Sequence, residues 1–247
     1  MGFSGSEYAL LEAVVPALRS ASELKLLQLV ETTLLATYLG SAAGQRILAG
    51  HVRRGDVETL EAALMICDLR GFTDLSNRNP PERTLELLNI YFDQVVPTIT
   101  DAGGEILKFM GDGLLAIFRV DERHRAETCT AALAAASEAL DLMDLLAAKR
   151  RAAGQPALGL DIALHVGTVQ YGNVGTDARL DFTVIGPAVN EAARIEALCG
   201  PLGRPLLVSQ AFAAAASGSR QHLVSLGRHR LRGVREETEI FTLADSN

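Results

Sequence analysis

Ile106-Leu107-Lys108-Phe109-Met110-Gly111-Asp112-Gly113-Leu114-Leu115-Ala116-Ile117-Phe118 consists of two short apolar runs joined by Gly-Asp-Gly. Strand-length apolar segments that meet at such a turn predict a β-hairpin. Upstream, an amphipathic pattern from about Glu82 to Thr100 predicts a helix, which Gly103 and Gly104 terminate. Before it, Ala62 to Cys67 predicts a strand. Downstream come a helix over Glu122 to Arg151, a strand over Leu158 to Val166, a glycine-punctuated loop, a strand over Asp181 to Ile185 and a helix over Pro187 to Leu198. Further short strands fall near Leu206 and Ile240. The β-α-β-β-α-β order predicts an α+β, ferredoxin-like sheet with helices on one face.

The amino-terminal part has a different pattern. From about residue 6 to 39, Leu11, Val14, Leu18 and Ala21 recur at spacings of three and four, followed less regularly by Leu24, Leu27, Val30 and Leu34. This predicts a helix that serves either as a connector or as an element packed on its own domain. Gly40, Gly44, Gly50 and the charged run His51 to Asp56 mark a boundary, giving a helical extension over 1–60 and a domain over 61–247.

Composition narrows the function. A 48% hydrophobic chain of 247 residues can bury a sizeable core, which excludes disorder along the whole chain. A net charge of -7 and the absence of Trp argue against a general nucleic-acid binder, which needs a basic surface. Such a protein still holds a triphosphate if carboxylates bind cations and a few basic side chains reach the oxygens. Cys67, Cys129 and Cys199 are scattered in apolar sequence and suggest neither a disulfide framework nor a zinc site, which fits the cytoplasm. No apolar run is long enough to span a bilayer; the longest, Ala126 to Ala148, is interrupted by acids.

Several polar residues stand in positions that need explaining. Asp68 ends an apolar strand just before Gly71, and Asp112 sits at the hairpin tip. If the strand ends are neighbours, the two carboxylates converge and suit Mg²⁺; otherwise Asp112 is a turn residue and Asp68 a strand-end cap. Alternation sets Lys108 opposite Leu107 and Phe109, facing solvent or a groove, and separates Thr183 from Phe182 and Val184. Pro187 opens a helix on which Asn190 and Arg194, four apart, share a face. That arginine could equally pair with Glu191 or Glu196. Gly103 to Ile106 spells GGEI, but it precedes the hairpin and lacks an aromatic fourth residue, so it is not the diguanylate-cyclase signature.

CDLRGFT, GGEILKFMGDGLLAIF, HVGTVQYGNVG and DFTVIGPAVNEAAR occur in that order, and over Glu61 to Leu243 the chain resembles the class III adenylate and guanylate cyclase catalytic domain. The resemblance implies that Asp68 and Asp112, with the Leu69 carbonyl, bind two ions of Mg²⁺ or Mn²⁺ per active site. It implies that amides near Phe72 and Thr73 hold the terminal phosphates, that Asn190 orients the ribose, and that Arg194 stabilises the transition state. Arg232 stands where the family usually has a phosphate-binding lysine.

Lys108 and Thr183 match the two purine-selecting positions. A lysine can donate to the unprotonated N1 of adenine and is opposed by the N1 hydrogen of guanine, so ATP is the expected substrate. Thr183 is similar to the threonine subgroup. One chain carries both residue sets, so the resemblance implies a homodimer with two shared sites, with no nucleic-acid partner and no direct membrane insertion. Gly2 to Leu11 also resembles the last helix of a GAF-type sensor, implying either the end of a truncated sensor, with an upstream sensor domain as partner, or a natural protein that lacks most of one. The alternatives are a guanylate cyclase and a nucleotide-sensing dimerisation module without turnover.

Overall fold

The computed structural model describes residues 4–216, 218, 223–234 and 236–244, in two compact units, Met1–Val52 and Arg53–Asn247. In the first unit, α1 (Gly5–Leu39) runs through Pro16 and buries none of its side chains. Gly40, at φ 86°, turns the chain so that α2 (Ser41–Leu48) packs back on α1. The contact is close because position 44 is glycine; a Cβ there would lie 3.1 Å from Leu35 Cβ.

In the second unit, β1 (Val57–Arg70), α3 (Phe72–Arg78), α4 (Pro81–Asp101), β2 (Glu105–Met110), β3 (Gly113–Val120), α5 (Arg125–Ala152) and β4 (Gly159–Thr176) give the expected βαββαβ frame. It continues with β5 (Arg179–Ile185), α6 (Pro187–Glu196), α7 (Cys199–Leu202), β6 (Leu206–Ser209), α8 (Gln210–Ala215), β7 (Leu223–His229) and β8 (Thr238–Leu243). The sheet order is β2-β3-β1-β4-β6-β8-β7, and β5 pairs with β4 alone. Two differences from expectation concern strands. β4 continues through the glycines read as a loop, and β7 carried no recognised signal.

Helices cover both faces rather than one, because β1 and β4 are apolar in both phases of their alternation. Ala63, Met65, Cys67 and Leu69 on β1, with Ile162, Leu164 and Val166 on β4, join Leu87, Tyr91, Val95 and Ile99 of α4 in the main core. Cys129, Ala132, Ala136, Ala139 and Met143 of α5 complete that layer. These helical residues recur every three or four positions, which is how a helix presents one stripe to a sheet. On the opposite face, Ala163 and Leu207 pack with Ile195 of α6 and Cys199 of α7. Asp68 lies in the phase of β1 that faces this second layer.

Gly103 and Gly104 close α4 with a Schellman turn. Gly104 N donates to Ile99 O at 2.8 Å and Gly103 N to Thr100 O at 3.0 Å. A Cβ on Gly104 would come within 2.8 Å of Ile99 O and of Phe118 Cζ, a fully packed neighbour. Gly104→Ala is therefore expected to lower stability by about 1–3 kcal/mol through overpacking, read by denaturant unfolding.

Candidate active site

The antiparallel register of β1 with β3 sets Cys67 opposite Leu114, so the last turn of β1 meets the Gly111-Asp112-Gly113 hairpin. Gly113 lies against Asp68: a Cβ there would stand 2.9 Å from Cys67 O and 3.0 Å from Asp68 Oδ1. Only glycine lets the two strand ends close this far. The result brings the two carboxylates close enough for the Asp112 charge to act on Asp68. Burial first, and then the charges of Asp112 and Asp161, push the Asp68 carboxyl up to about 6, against an opposing hydrogen bond from the Leu69 backbone.

Two further acids surround this pair: Asp161, which the sequence reading did not single out, and Glu196, read there only as an alternative partner of Arg194. Asp161 pairs with Asp68 across the β1–β4 ladder and is itself buried. Arg70 neutralises it, with Nε donating to both carboxylate oxygens at 3.0 and 3.1 Å and Nη2 donating to Oδ1. Gly159 makes room for the Arg70 stem, 3.2 Å from where its Cβ would be. Glu196, at the end of α6, is pushed up to about 7 by burial and by the charges of Asp68, Asp161 and Asp112. Among the described residues no ready-made group of three or more His, Cys, Asp or Glu side chains could hold an ion. Asp68 and Asp112 nevertheless fit a divalent cation whose remaining positions are filled by main-chain carbonyl, water and phosphate.

The other predicted residues form two separate groups. Lys108 Nζ stands 3.6 Å from Asp181 Oδ2, a partner on β5 that the sequence reading did not single out. Simple alternation fails around Lys108: a bulge shifts the register between Ile106 and Lys108, leaving Leu107 buried and Phe109 exposed. On β5, whose register with β4 is regular, Phe182, Thr183 and Val184 are all buried because both faces of the strand are covered. Phe182 packs edge-on against Tyr171, and the Thr183 hydroxyl is buried without a hydrogen-bond partner. An orphaned hydroxyl of this kind can receive a donor from a ligand.

Arg194 belongs to the third group. Its guanidinium lies over the Arg232-Gly233 turn, 3.4 Å from where a Gly233 Cβ would be, and makes no ion pair with Glu191 or Glu196. Arg230 to Val234 line a cavity of about 450 Å³ beside it. Asn190 is exposed on the first turn of the same helix. Phe72 and Thr73 open α3 directly after Gly71, at φ 74°, where first-turn amides have no partner within the helix. No ion pair or hydrogen bond joins Lys108 or Arg194 to Asp68 or Asp112 among the described residues.

Beneath α6, His165 supports the helix that carries Asn190 and Arg194. Ser209 Oγ accepts from Phe212 N at 3.1 Å, so its own proton can go to His165 Nδ1 at 2.9 Å. In that arrangement the imidazole proton sits on Nε2, and the ring nitrogen lies 3.9 Å from Glu191 of α6. Burial lowers the His165 pKa against the pull of Glu191.

Residues 57–245 match the family described as the adenylate and guanylate cyclase catalytic domain. An adenylate cyclase of Anabaena cylindrica is 33% identical over 161 residues, 65% of this chain and 32% of that protein. The matched region is thus about a third of that relative's length. The adenylyl cyclase CyaB of P. aeruginosa superposes with a TM-score of 0.67 at 26% identity, covering 77% of this chain and 97% of that one. A bacterial light-regulated adenylyl cyclase superposes with a TM-score of 0.72 at 25% identity, covering 94% of this chain and 64% of that one.

The crowded acids have a measurable consequence. Asp68 keeps its proton up to about pH 6 when folded and only to about pH 4 when unfolded. The ionised group therefore opposes folding at neutral pH, and the opposition is relieved as pH falls through about 6. Asp112→Asn is expected to stabilise the cation-free protein near neutrality, with an advantage that shrinks on acidification. The same substitution is expected to weaken Mn²⁺ binding in calorimetric titration.

Proposed function

Because this chain belongs to the adenylate and guanylate cyclase catalytic-domain family, we propose that it is an adenylate cyclase, converting ATP to 3′,5′-cyclic AMP and pyrophosphate at sites shared between two copies. The observation that carries the base assignment is Lys108, a cation on the strand next to the hairpin, near the buried, unpartnered Thr183 hydroxyl's own strand. An ammonium donates and cannot accept, so it suits the bare N1 of adenine and opposes the N1 hydrogen of guanine. The Thr183 hydroxyl can accept from the adenine amino group.

Asp68 and Asp112, with the Leu69 carbonyl, would hold two ions of Mg²⁺ or Mn²⁺. These would supply charge neutralisation of the triphosphate and acidification of the ribose 3′-hydroxyl. The reaction forms the O3′–Pα bond, breaks the bond from Pα to the bridging oxygen, and releases the 3′-hydroxyl proton. Amides of Phe72 and Thr73 bind the terminal phosphates, and Arg232 adds a cation there, with a planar fork in place of a lysine point charge. Asn190 orients the ribose, and Arg194 meets the charge that develops on the α-phosphoryl oxygens.

What supports a shared site is the separation of these groups within one chain: the acids contact neither Lys108 nor Arg194. Phe109, Met110 and Ile185 are exposed apolar side chains on the two strands that bear Lys108 and Thr183, a surface suited to a second copy. We assign the helical unit as a connector to an upstream sensor. Its exposed Leu11, Val14, Leu18, Leu27, Val30 and Leu34 suit a parallel helix pair. Among the described residues no helix is long and apolar enough to cross a membrane. ATP as substrate agrees with action in the cytoplasm.

The deciding experiment supplies equal ATP and GTP with Mg²⁺ or Mn²⁺ over a range of protein concentrations. Cyclic AMP is expected in excess, with specific activity rising as copies associate; dominant cyclic GMP would overturn the reading of Lys108. Asp112→Ala and Arg194→Ala are each expected to lower kcat by about a hundredfold or more. Mixed in equal amounts, the two variants should regain about a quarter of wild-type activity, since half of the dimers are mixed and each holds one intact site. No recovery on mixing would show that each copy works alone.

A further inference from the structure

Lysine is a poor selector unless something fixes its ammonium. Its stem carries four rotatable bonds, and an unheld ammonium samples many positions. Lys108 lies on the edge strand of the sheet, just past a bulge, and its side chain is 36% exposed, so packing alone does not fix it. The group that meets it is Asp181, at 3.6 Å. Asp181 and Thr183 are two apart on β5, the spacing that puts side chains on one side of a strand. The carboxylate and the orphaned hydroxyl thus stand side by side, and only the carboxylate touches the lysine.

Resting on the adenylate cyclase reading above, we propose that Asp181 is a positioning residue that aims Lys108 at the purine, so that the Lys108–Asp181 pair sets base choice. At 3.6 Å Asp181 holds the ammonium as an ion pair, short of a hydrogen bond, and leaves its protons for the ring nitrogen. The same carboxylate explains why the lysine is needed. Asp181 by itself offers only acceptors, which match the N1 hydrogen and 2-amino group of guanine. Lys108 masks that feature and presents donors in its place. The pair therefore works as a selector in which removal of the cation exposes a guanine-compatible anion.

The test compares kcat/KM for ATP and GTP on the same preparations of wild type, Asp181→Asn, Asp181→Glu and Lys108→Ala, together with the Lys108→Ala/Asp181→Ala double variant. A ratio between two substrates on one preparation cancels any loss of folded protein. Asp181→Asn is expected to lower the ATP-over-GTP ratio by up to about fivefold, the scale of an exposed ion pair, with partial rescue in Asp181→Glu. Lys108→Ala is expected to shift the ratio further toward GTP, and the added Asp181→Ala to remove that gain. An unchanged ratio in Asp181→Asn, or equal changes for both nucleotides, would overturn the proposal. Wild type that makes mainly cyclic GMP would instead overturn the adenylate cyclase reading, so the two failures are distinct.

Discussion

The close approach of Gly113 to Asp68 is the constraint on which the catalytic unit depends. β1 carries an unbroken apolar run from Ala62 to Cys67, and β3 pairs with it in antiparallel register up to the hairpin. The hairpin turn is therefore obliged to lie against the first polar residue after that run. With a Cβ at position 113 the strand ends would have to part, because the obstruction is the Cys67 carbonyl as well as the Asp68 side chain. The backbone thus forces two carboxylates together, and burial first, with their repulsion added, raises the pKa of Asp68.

The same strand shows how the fold tolerates this. Odd-numbered residues of β1 from Ala63 to Leu69 enter the layer under α4 and α5, whose tight packing holds the strand in place. The other phase carries Asp68 toward α6, and here the molecule keeps its charged groups. Arg70 offsets one neighbouring acid, Asp161, by a two-point contact, while Asp68, Asp112 and Glu196 are left to repel one another. Asp161 is buried while Arg70 is half-exposed, so removing the arginine would leave the buried acid uncompensated. Arg70 is accordingly bound to the stability of the site although it makes no predicted contact with substrate.

The parts legible in the sequence were those with a short-range physical cause. The hairpin was legible because Gly-Asp-Gly interrupts two apolar runs, and α4 because its stripe ends in two glycines. β4 was read as too short because Gly167, Gly172 and Gly175 look like chain breakers. Their actual role is close approach: a Cβ on Gly172 would stand 2.1 Å from Asp56 O, and one on Gly167 would stand 2.8 Å from Ala188 Cβ. Asp68, Asp112, Lys108 and Arg194 were legible by motif. Asp161, Glu196 and Asp181 were not, since each matters through a neighbour distant in the chain. Only for Asp181 did a signal exist, its two-residue spacing from Thr183.

The separation of charges within one chain also bears on how such a molecule is kept quiet. On the proposed reading the acid cluster needs cations and Arg194 needs phosphate, and among the described residues no ion pair or hydrogen bond joins Asp68 or Asp112 to Lys108 or Arg194. Association would bring unlike charges toward a common ligand, with the exposed Phe109, Met110 and Ile185 supplying apolar surface beside them. Because the electrostatic terms grow steeply as water is excluded, a small change in how two copies meet would alter the transition state more than the ground state. Were two copies of α1 to pair as proposed, its exposed leucines and valines would form the seam, and a rotation of one helix on the other is the kind of input to which a shared site would respond.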